Sequence, residues 1–140
     1  MKDPTKQLQE AYFTLLNGSV VVNGTGIPVF KWDQTGDTTR VTISGLVMDD
    51  ESTHDTFMCY AYQTIVIQAE LSYGDEREVA ADICDEVVQL VVRDSTADLM
   101  TMTSFQMVDA FLDSNELMED NQDSTIFTKE LIFKHLIAEK

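Results

Sequence analysis

Carboxylates and a histidine cluster in one segment of the chain, residues 49–56, which reads DDESTHDT. The side chains there that could hold a cation are Asp49, Asp50, Glu51, His54 and Asp55. Calcium prefers such oxygen ligands, but the spacing does not match an EF-hand loop and lacks its central glycine. A second acidic segment, residues 113–123, fails in the same way, because Leu117 stands at a ligand position. We therefore expect two solvated loops and no metal site.

Nucleophilic and acid–base chemistry finds little support. The two histidines, His54 and His135, lie in no nucleophile elbow or H-E-x-x-H motif, and the chain has no phosphate-binding Gly-Lys motif. We expect His135 to be a strand residue at a subunit or solvent edge rather than a base. Cys59 and Cys84 occupy apolar-patterned positions without C-x-x-C spacing, which predicts two reduced core thiols. The sequence thus supports neither an enzymatic activity nor a cofactor. We therefore expect a role in assembly or binding.

The charge of the chain restricts its partners. Nine Lys and Arg stand against 25 Asp and Glu, which gives a net charge of −16 over 140 residues. Such a chain should not bind nucleic acid through its phosphates, because the electrostatic contribution would be repulsive. The same acidity could equally serve only solubility. The opening MKDPTKQLQE has no apolar segment and no run approaches a membrane span, so we expect neither a secretory signal nor a membrane partner.

A strand followed by a helix is predicted at the centre of the chain, over residues 60–92. Ile65, Ile67 and Ala69 alternate with polar neighbours, which is typical of a half-buried strand. Asp75 with Glu78 then matches a capping box at a helix start. The helix should bury an apolar stripe and expose a polar face. The stripe is Val79, Ile83, Val87, Leu90 and Val91, and the opposite face carries Asp82, Asp85, Glu86 and Gln89.

The remaining pattern surrounds this unit. A helix should run from Pro4 to the Asn17-Gly18 stop, followed by a short extended segment at residues 20–22. Residues 24–26 are then expected to form a turn that leads into an edge or irregular strand at residues 27–30. Alternation at residues 41–47 and 57–71 predicts a hairpin. Its second strand would span about 50 Å at about 3.3 Å per residue. Because a small core does not cover that length, we expect a bend, a bulge or a hairpin that projects with its tip near residues 49–56.

The last part of the chain predicts two more strands, residues 102–112 and 126–137, separated by the acidic loop 113–123. The whole indicates one domain, residues 1–140, of the α+β class. We expect a mainly antiparallel sheet with two helices packed on it and a long projecting β-hairpin.

Several local sequences together resemble a known family. They are Leu8, Tyr12 and Leu15 in the first helix, GIPVF at 26–30, I-x-A-E-L-S-x-G-D-E-R-E-V-A-A-D-I-C-D-E-V at 67–87, and FTKELIFK at 127–134. The chain resembles the small tail-completion proteins of tailed bacteriophages, which include tail terminators and tail-to-head joining proteins. Ser72, Gly74, Asp75 and Glu76 match the turn that starts the family's helix. The long acidic segment and the scarcity of basic residues depart from the family pattern.

The resemblance implies a subunit that forms a ring, commonly a hexamer, at the head-proximal end of the tail or in the neck. Such a ring stops tube growth and docks on the head connector, so its partners are itself, the tail tube and the connector. DNA passes through without specific binding. The protein would be in the virion, and in the host cytoplasm during assembly. Candidate contact residues are Asp49, Asp50, Glu51, His54, Asp55 and Phe57, and candidate lumen residues are Asp82, Asp85 and Glu86.

Two other functions fit the sequence. The chain could be another neck or tail-tube subunit with the same fold, which would co-purify with different virion proteins. It could also be a small acidic cytoplasmic binding protein that mimics the charge of DNA. That function predicts a monomer or dimer with acidic residues massed on one outer face.

Overall fold

The computed structural model describes residues 3–31, 39–49, 58–70, 76–92, 100–119 and 126–140. Two helices and seven strands lie in these ranges. In chain order they are α1 (Thr5–Leu16), β1 (Val21–Val22), β2 (Thr25–Gly26), β3 (Val29–Lys31), β4 (Arg40–Asp49), β5 (Met58–Glu70), α2 (Glu76–Val91), β6 (Phe105–Glu119) and β7 (Ile126–Glu139). Neither helix in the described part is long and apolar enough to span a membrane.

Five strands form the main sheet in the order β3-β4-β5-β7-β6. β3 pairs with β4 in parallel, and every other pairing in this sheet is antiparallel. β1 and β2 form a separate antiparallel ribbon next to α2. The prediction of a mainly antiparallel α+β fold is confirmed.

α1 begins one residue after the predicted start at Pro4 and ends at the predicted stop. The carboxylate of Asp3 accepts a hydrogen bond of 2.9 Å from the backbone N–H of Thr5, which satisfies a donor that the first turn leaves free. After Leu16 the chain leaves the helix, and Gly18 takes a φ of 79°, which costs glycine little. Leu8, Tyr12 and Leu16 are fully buried. The apolar stripe therefore fixes which side of α1 faces the sheet.

α2 follows its predicted pattern closely. Ile83, Val87 and Val91 are buried, while Val79 and Leu90 are partly buried at the edges of the stripe. Ala80 and Cys84 are also buried, which widens the apolar face. Both helices lie on one face of the sheet, and the alternate residues of β5 and β7 fill the core beneath them. Those core residues are Cys59, Ala61, Ile65, Ile67, Leu131, Phe133 and Ile137.

The long strand β5 is supported along its whole length. All of its residues, from Met58 to Glu70, pair with β7. The sheet is therefore longer than we expected, and the described part of the hairpin does not project from it. The irregularity expected in this hairpin lies in β4, where the register with β5 shifts between Ile43 and Leu46. Beyond that bulge the alternation changes, so that Val47 is exposed instead of sharing the buried face of Val41.

Three further expectations need correction. The acidic segment predicted as a loop from residue 113 continues β6 as far as Glu119, because pairing with β7 stabilises residues of low strand propensity. Gly24 turns the β1–β2 ribbon together with Asn23, while Thr25 and Gly26 already belong to β2. His135 is a strand residue as predicted, but β7 lies between β5 and β6 and the side chain is fully buried, so its predicted place at an edge is wrong.

Candidate interaction surface

The predicted partner contacts fall mostly outside the described part of the chain. Asp49 is the last residue of β4, and its backbone pairs with that of Tyr60. The remaining predicted contacts, outside the described residues, are Asp50, Glu51, His54, Asp55 and Phe57. Their role at a subunit contact stays a prediction.

The three carboxylates predicted for the lumen lie together on α2. Their i, i+3 and i+4 spacing places them on one helix face. Asp82 and Asp85 are exposed and Glu86 is half-buried. They border a groove of about 300 Å³ between α2 and the turn of the β1–β2 ribbon. We call this the acidic groove, whose lining includes Val21, Asn23, Asp82, Asp85, Glu86 and Gln89.

A row of large side chains crosses the sheet face that points away from the helices. The register pairs Val47 with Tyr62, Tyr62 with Lys134, and Lys134 with Phe111, across four neighbouring strands. Residues that are directly paired across strands lie on the same side of the sheet. Val47 is 67% exposed and Phe111 is 37% exposed. We call this row, together with Tyr60, the open face.

Lys134 lies at the centre of the open face. Its Nζ is 4.3 Å from the centroid of the Tyr60 ring and 5.6 Å from those of Tyr62 and Phe111. A cation at these distances is attracted by the negative faces of aromatic rings. A hydrogen bond with Tyr62 raises the pKa of Lys134, and Tyr62, Tyr60 and Asp113 add electrostatic attraction. The open face therefore combines aromatic area with one positive charge, which persists at neutral pH.

A polar pair is buried between α1 and the sheet. His135 has no exposed surface, and its Nε2 shares a hydrogen bond with the Tyr12 hydroxyl. The two rings meet edge to face, with centroids 5.4 Å apart and planes at 78°. Burial lowers the pKa of His135 to about 4, although the backbone of Asp109 partly favours the charged form. Burial also raises the pKa of Tyr12 well above its usual value, so both groups are neutral at pH 7.

The surroundings of His135 indicate a structural role. Its Nδ1 is buried without a hydrogen-bond partner of suitable geometry among the described residues. Because the ring has no exposed surface, no substrate can reach either nitrogen in the folded subunit. The contact joins the first helix to β7 and so holds α1 on the sheet.

Two glutamines satisfy the bulge in β4. Gln63 Nε2 donates to the carbonyls of Ser44 at 2.9 Å and Gly45 at 3.2 Å. Gln9 Nε2 of α1 donates to the Ser44 carbonyl at 2.8 Å. A bulge disrupts the hydrogen bonds of the ladder, and these side chains supply donors in their place. The bulge is thus built into the contact between α1 and the sheet.

The described residues offer little reactive chemistry. They contain no group of three or more His, Cys, Asp or Glu side chains that could hold a metal ion. Cys59 and Cys84 are free and buried, as predicted. Burial raises the pKa of Cys84 to about 11, and the thiolate, which is the reactive form, is correspondingly scarce. What the described surface does offer is two contrasting patches, the open face and the acidic groove.

Comparison with known proteins supplies a structural neighbour. No protein-family model and no curated protein sequence matches this chain. Among solved structures, the chain is similar to a component of "Virion of native gene transfer agent (GTA) particle". The match has a TM-score of 0.74 and 16% sequence identity, and it covers 96% of both chains. At this identity the likeness shows a shared fold over nearly the entire chain.

The sequence pattern alone predicts neither the open face nor the buried polar pair. Tyr60, Tyr62 and Lys134 do alternate with the core residues of their strands, so the face they occupy could be inferred. That they meet depends on the pairing of β5 with β7 and of β7 with β6, which no local pattern specifies. The partnership of Tyr12 with His135 likewise spans 123 positions of sequence.

Proposed function

We propose that this chain is a structural protein of a virion that forms a ring at the head-proximal end of a bacteriophage tail or in the neck. In this role it terminates the tail, joins it to the head connector and leaves a passage for DNA. We expect the ring to be a hexamer, as is common in the tail-completion family. The protein would have no enzymatic activity and no cofactor, and it would be present in the host cytoplasm before assembly.

The observation that carries this proposal is the fold. The neighbour that matches over 96% of both chains is a component of a virion particle. Folds host more than one function, so this likeness supports the class of protein rather than the particular role. The local sequences at 26–30, 67–87 and 127–134 resemble the tail-completion family. This resemblance is the reason for proposing a tail-completion role among the structural proteins of a virion.

The charge supports the same role. DNA that must move through a ring should not be held by it, and a net charge of −16 opposes attraction of the phosphate backbone. Assembly through a ring also gives partners to surfaces that a monomer leaves in water. Candidates are the open face and the outer edge of β6, which is at one end of the sheet order.

The proposal is tested by the mass and shape of the purified protein. Native mass spectrometry and negative-stain imaging should show a closed ring, either alone or after the protein is mixed with tail tubes. The ring should bind one end of a tube and should co-purify with a connector protein. A protein that stays monomeric at high concentration and with tubes present would contradict the proposal.

Co-purification separates the narrower roles. A tail terminator binds the tube end and the connector, whereas a tail-tube subunit would polymerise along the length of the tube. A stable monomer or dimer that displaces DNA from a DNA-binding protein would instead favour the charge mimic. These outcomes use the same purified protein and differ in particle size and bound partner.

A further inference from the structure

We propose that the open face of one copy docks on the acidic groove of a second copy, in a head-to-tail contact. The inference rests on the ring proposed above and names the two surfaces that would join its subunits. Lys134 would face Asp82, Asp85 and Glu86 of the neighbouring copy. Val47 and Phe111 would meet the neighbour's Val21.

Exposed apolar side chains mark both surfaces. Within the described residues the exposed large hydrophobic side chains are Val21, Val47, Val108 and Phe111. Val47 and Phe111 belong to the open face, while Val21 is 44% exposed and lines the acidic groove. Exposed apolar side chains grouped within a polar rim are typical of interaction sites. Each patch therefore has an apolar contact to offer the other.

The charges of the two surfaces are complementary. The open face centres on Lys134, whose ammonium lies against three aromatic rings and is also attracted by the carboxylate of Asp113. The acidic groove brings together three carboxylates, and the last turn of α2 contains no basic residue. Opposite charges that meet at an interface steer encounter and set register, and like charges that meet oppose it.

This charge distribution selects the symmetry of the contact. A two-fold contact through the open face would place Lys134 of one copy near Lys134 of the other. A two-fold contact through the acidic groove would bring together six carboxylates, three from each copy. A contact between the two different patches avoids both repulsions. Such a heterologous contact produces a closed ring when the rotation between neighbours closes.

The fold places the two patches on opposite sides of the sheet. The helices pack on the face that contains Ile65 and Phe133, whereas Tyr62 and Lys134 occupy the other face. The acidic groove lies on the outer side of the helix layer. One copy can therefore use its open face and its acidic groove at the same time, as every subunit of a ring must. The carboxylates of α2 are thereby assigned to the contact between copies rather than to the lumen predicted from the sequence.

Charge reversal tests the contact directly. Lys134→Glu and Asp85→Lys are each expected to lower the fraction of protein in the ring by at least about tenfold, since each creates a like-charge juxtaposition. The double variant restores an opposite pair and should recover the ring. Lys6→Glu and Glu10→Lys are matched controls, because both residues are exposed on α1. Native mass spectrometry measures the ring fraction, and circular dichroism checks that every variant is folded.

A second measurement avoids dependence on the variants. Equal amounts of ¹⁴N- and ¹⁵N-labelled wild-type protein are mixed, allowed to assemble and treated with a carbodiimide, which joins an amine to a carboxylate in contact. Mixed-isotope cross-links between Lys134 and Asp82, Asp85 or Glu86 are the expected result.

The outcomes distinguish this inference from the ring itself. One outcome would overturn the head-to-tail contact and leave the ring standing. In it, the wild type and Lys134→Glu form rings to the same extent, and the wild type gives no mixed-isotope links at Lys134. Wild-type protein that never assembles would overturn both. Rings that persist alone but fail to bind tube or connector when Lys134 is reversed would show that the open face binds another virion protein, which also overturns the contact proposed here.

Discussion

The buried pair of His135 and Tyr12 should make the subunit sensitive to acid. The unfolded chain takes up a proton at the ordinary histidine pKa of 6.5, and the folded chain resists it until about pH 4. Between these values the unfolded state binds more protons, so the free energy of unfolding falls as the pH falls. Above the unfolded pKa this contribution is fully present, and below the folded pKa it has been lost.

The size of the effect follows from the shift. The pKa of His135 is 6.5 in the unfolded chain and about 4 in the folded chain. This difference lowers the free energy of unfolding by about 2.5 kcal/mol when the pH falls from about 7.5 to about 4.5. Carboxylates also titrate in this range, so the wild-type curve alone does not isolate the histidine. His135→Phe keeps an aromatic ring of similar size and removes the titration. The variant should lose about 2.5 kcal/mol less than the wild type over the same interval.

Urea denaturation followed by circular dichroism at the two pH values measures the difference. Tyr12→Phe is the matched control, because it removes the hydroxyl that bonds Nε2 but keeps the buried imidazole. It should cost about 1–3 kcal/mol at neutral pH, since it leaves a buried polar atom without its partner. Its loss on acidification should resemble that of the wild type. Equal acid losses in wild type and His135→Phe would refute the assignment of the effect to this residue.

Three other predictions concern the core. Ile83→Ala should lower the free energy of unfolding by about 2–5 kcal/mol, as measured by urea denaturation. Glu86→Ala, at a half-buried position of the same helix, should lower it by under about 1 kcal/mol. Equal losses would mean that α2 is buried all round. Gln63→Leu should cost about 1–3 kcal/mol by leaving the bulge carbonyls without that donor, while Gln106→Leu, at an exposed position of β6, should cost less. Similar losses for both would count against a special role of Gln63. Thiol reagents should label Cys59 and Cys84 only after unfolding in urea, because both are buried, and rapid labelling of the native protein would contradict this burial.

The parts of the fold that could be predicted are those whose evidence is local. α1 and α2 carry apolar residues at helical spacing, and β5 and β7 alternate cleanly, so their type and inward faces follow from the chain. The predicted strand ends at residue 112, short of the observed end of β6 at Glu119, because the sequence DSNELME at 113–119 has a composition typical of a loop. Its strand conformation depends on pairing with β7, which a local pattern does not contain.

The sites depended still more on distant partners. The bulge of β4 is stabilised by Gln63 and Gln9, and neither is a neighbour of Ser44 in sequence. His135 is buried in a central strand, and its hydrogen-bond partner Tyr12 lies near the other end of the described chain. By contrast, Asp82, Asp85 and Glu86 were placed together correctly, because a single helix fixes their spacing.

The position of β7 has a consequence for synthesis of the protein. β7 follows the other described strands along the chain, yet it lies between β5 and β6 in the sheet. Until the ribosome has released it, β5 has an unpaired edge and Tyr12 lacks the imidazole that it bonds. The sheet can therefore close only after β7 has left the ribosome, because long-range pairing must wait for both strands. A nascent subunit consequently cannot present a finished open face, whose central Lys134 arrives with that same strand.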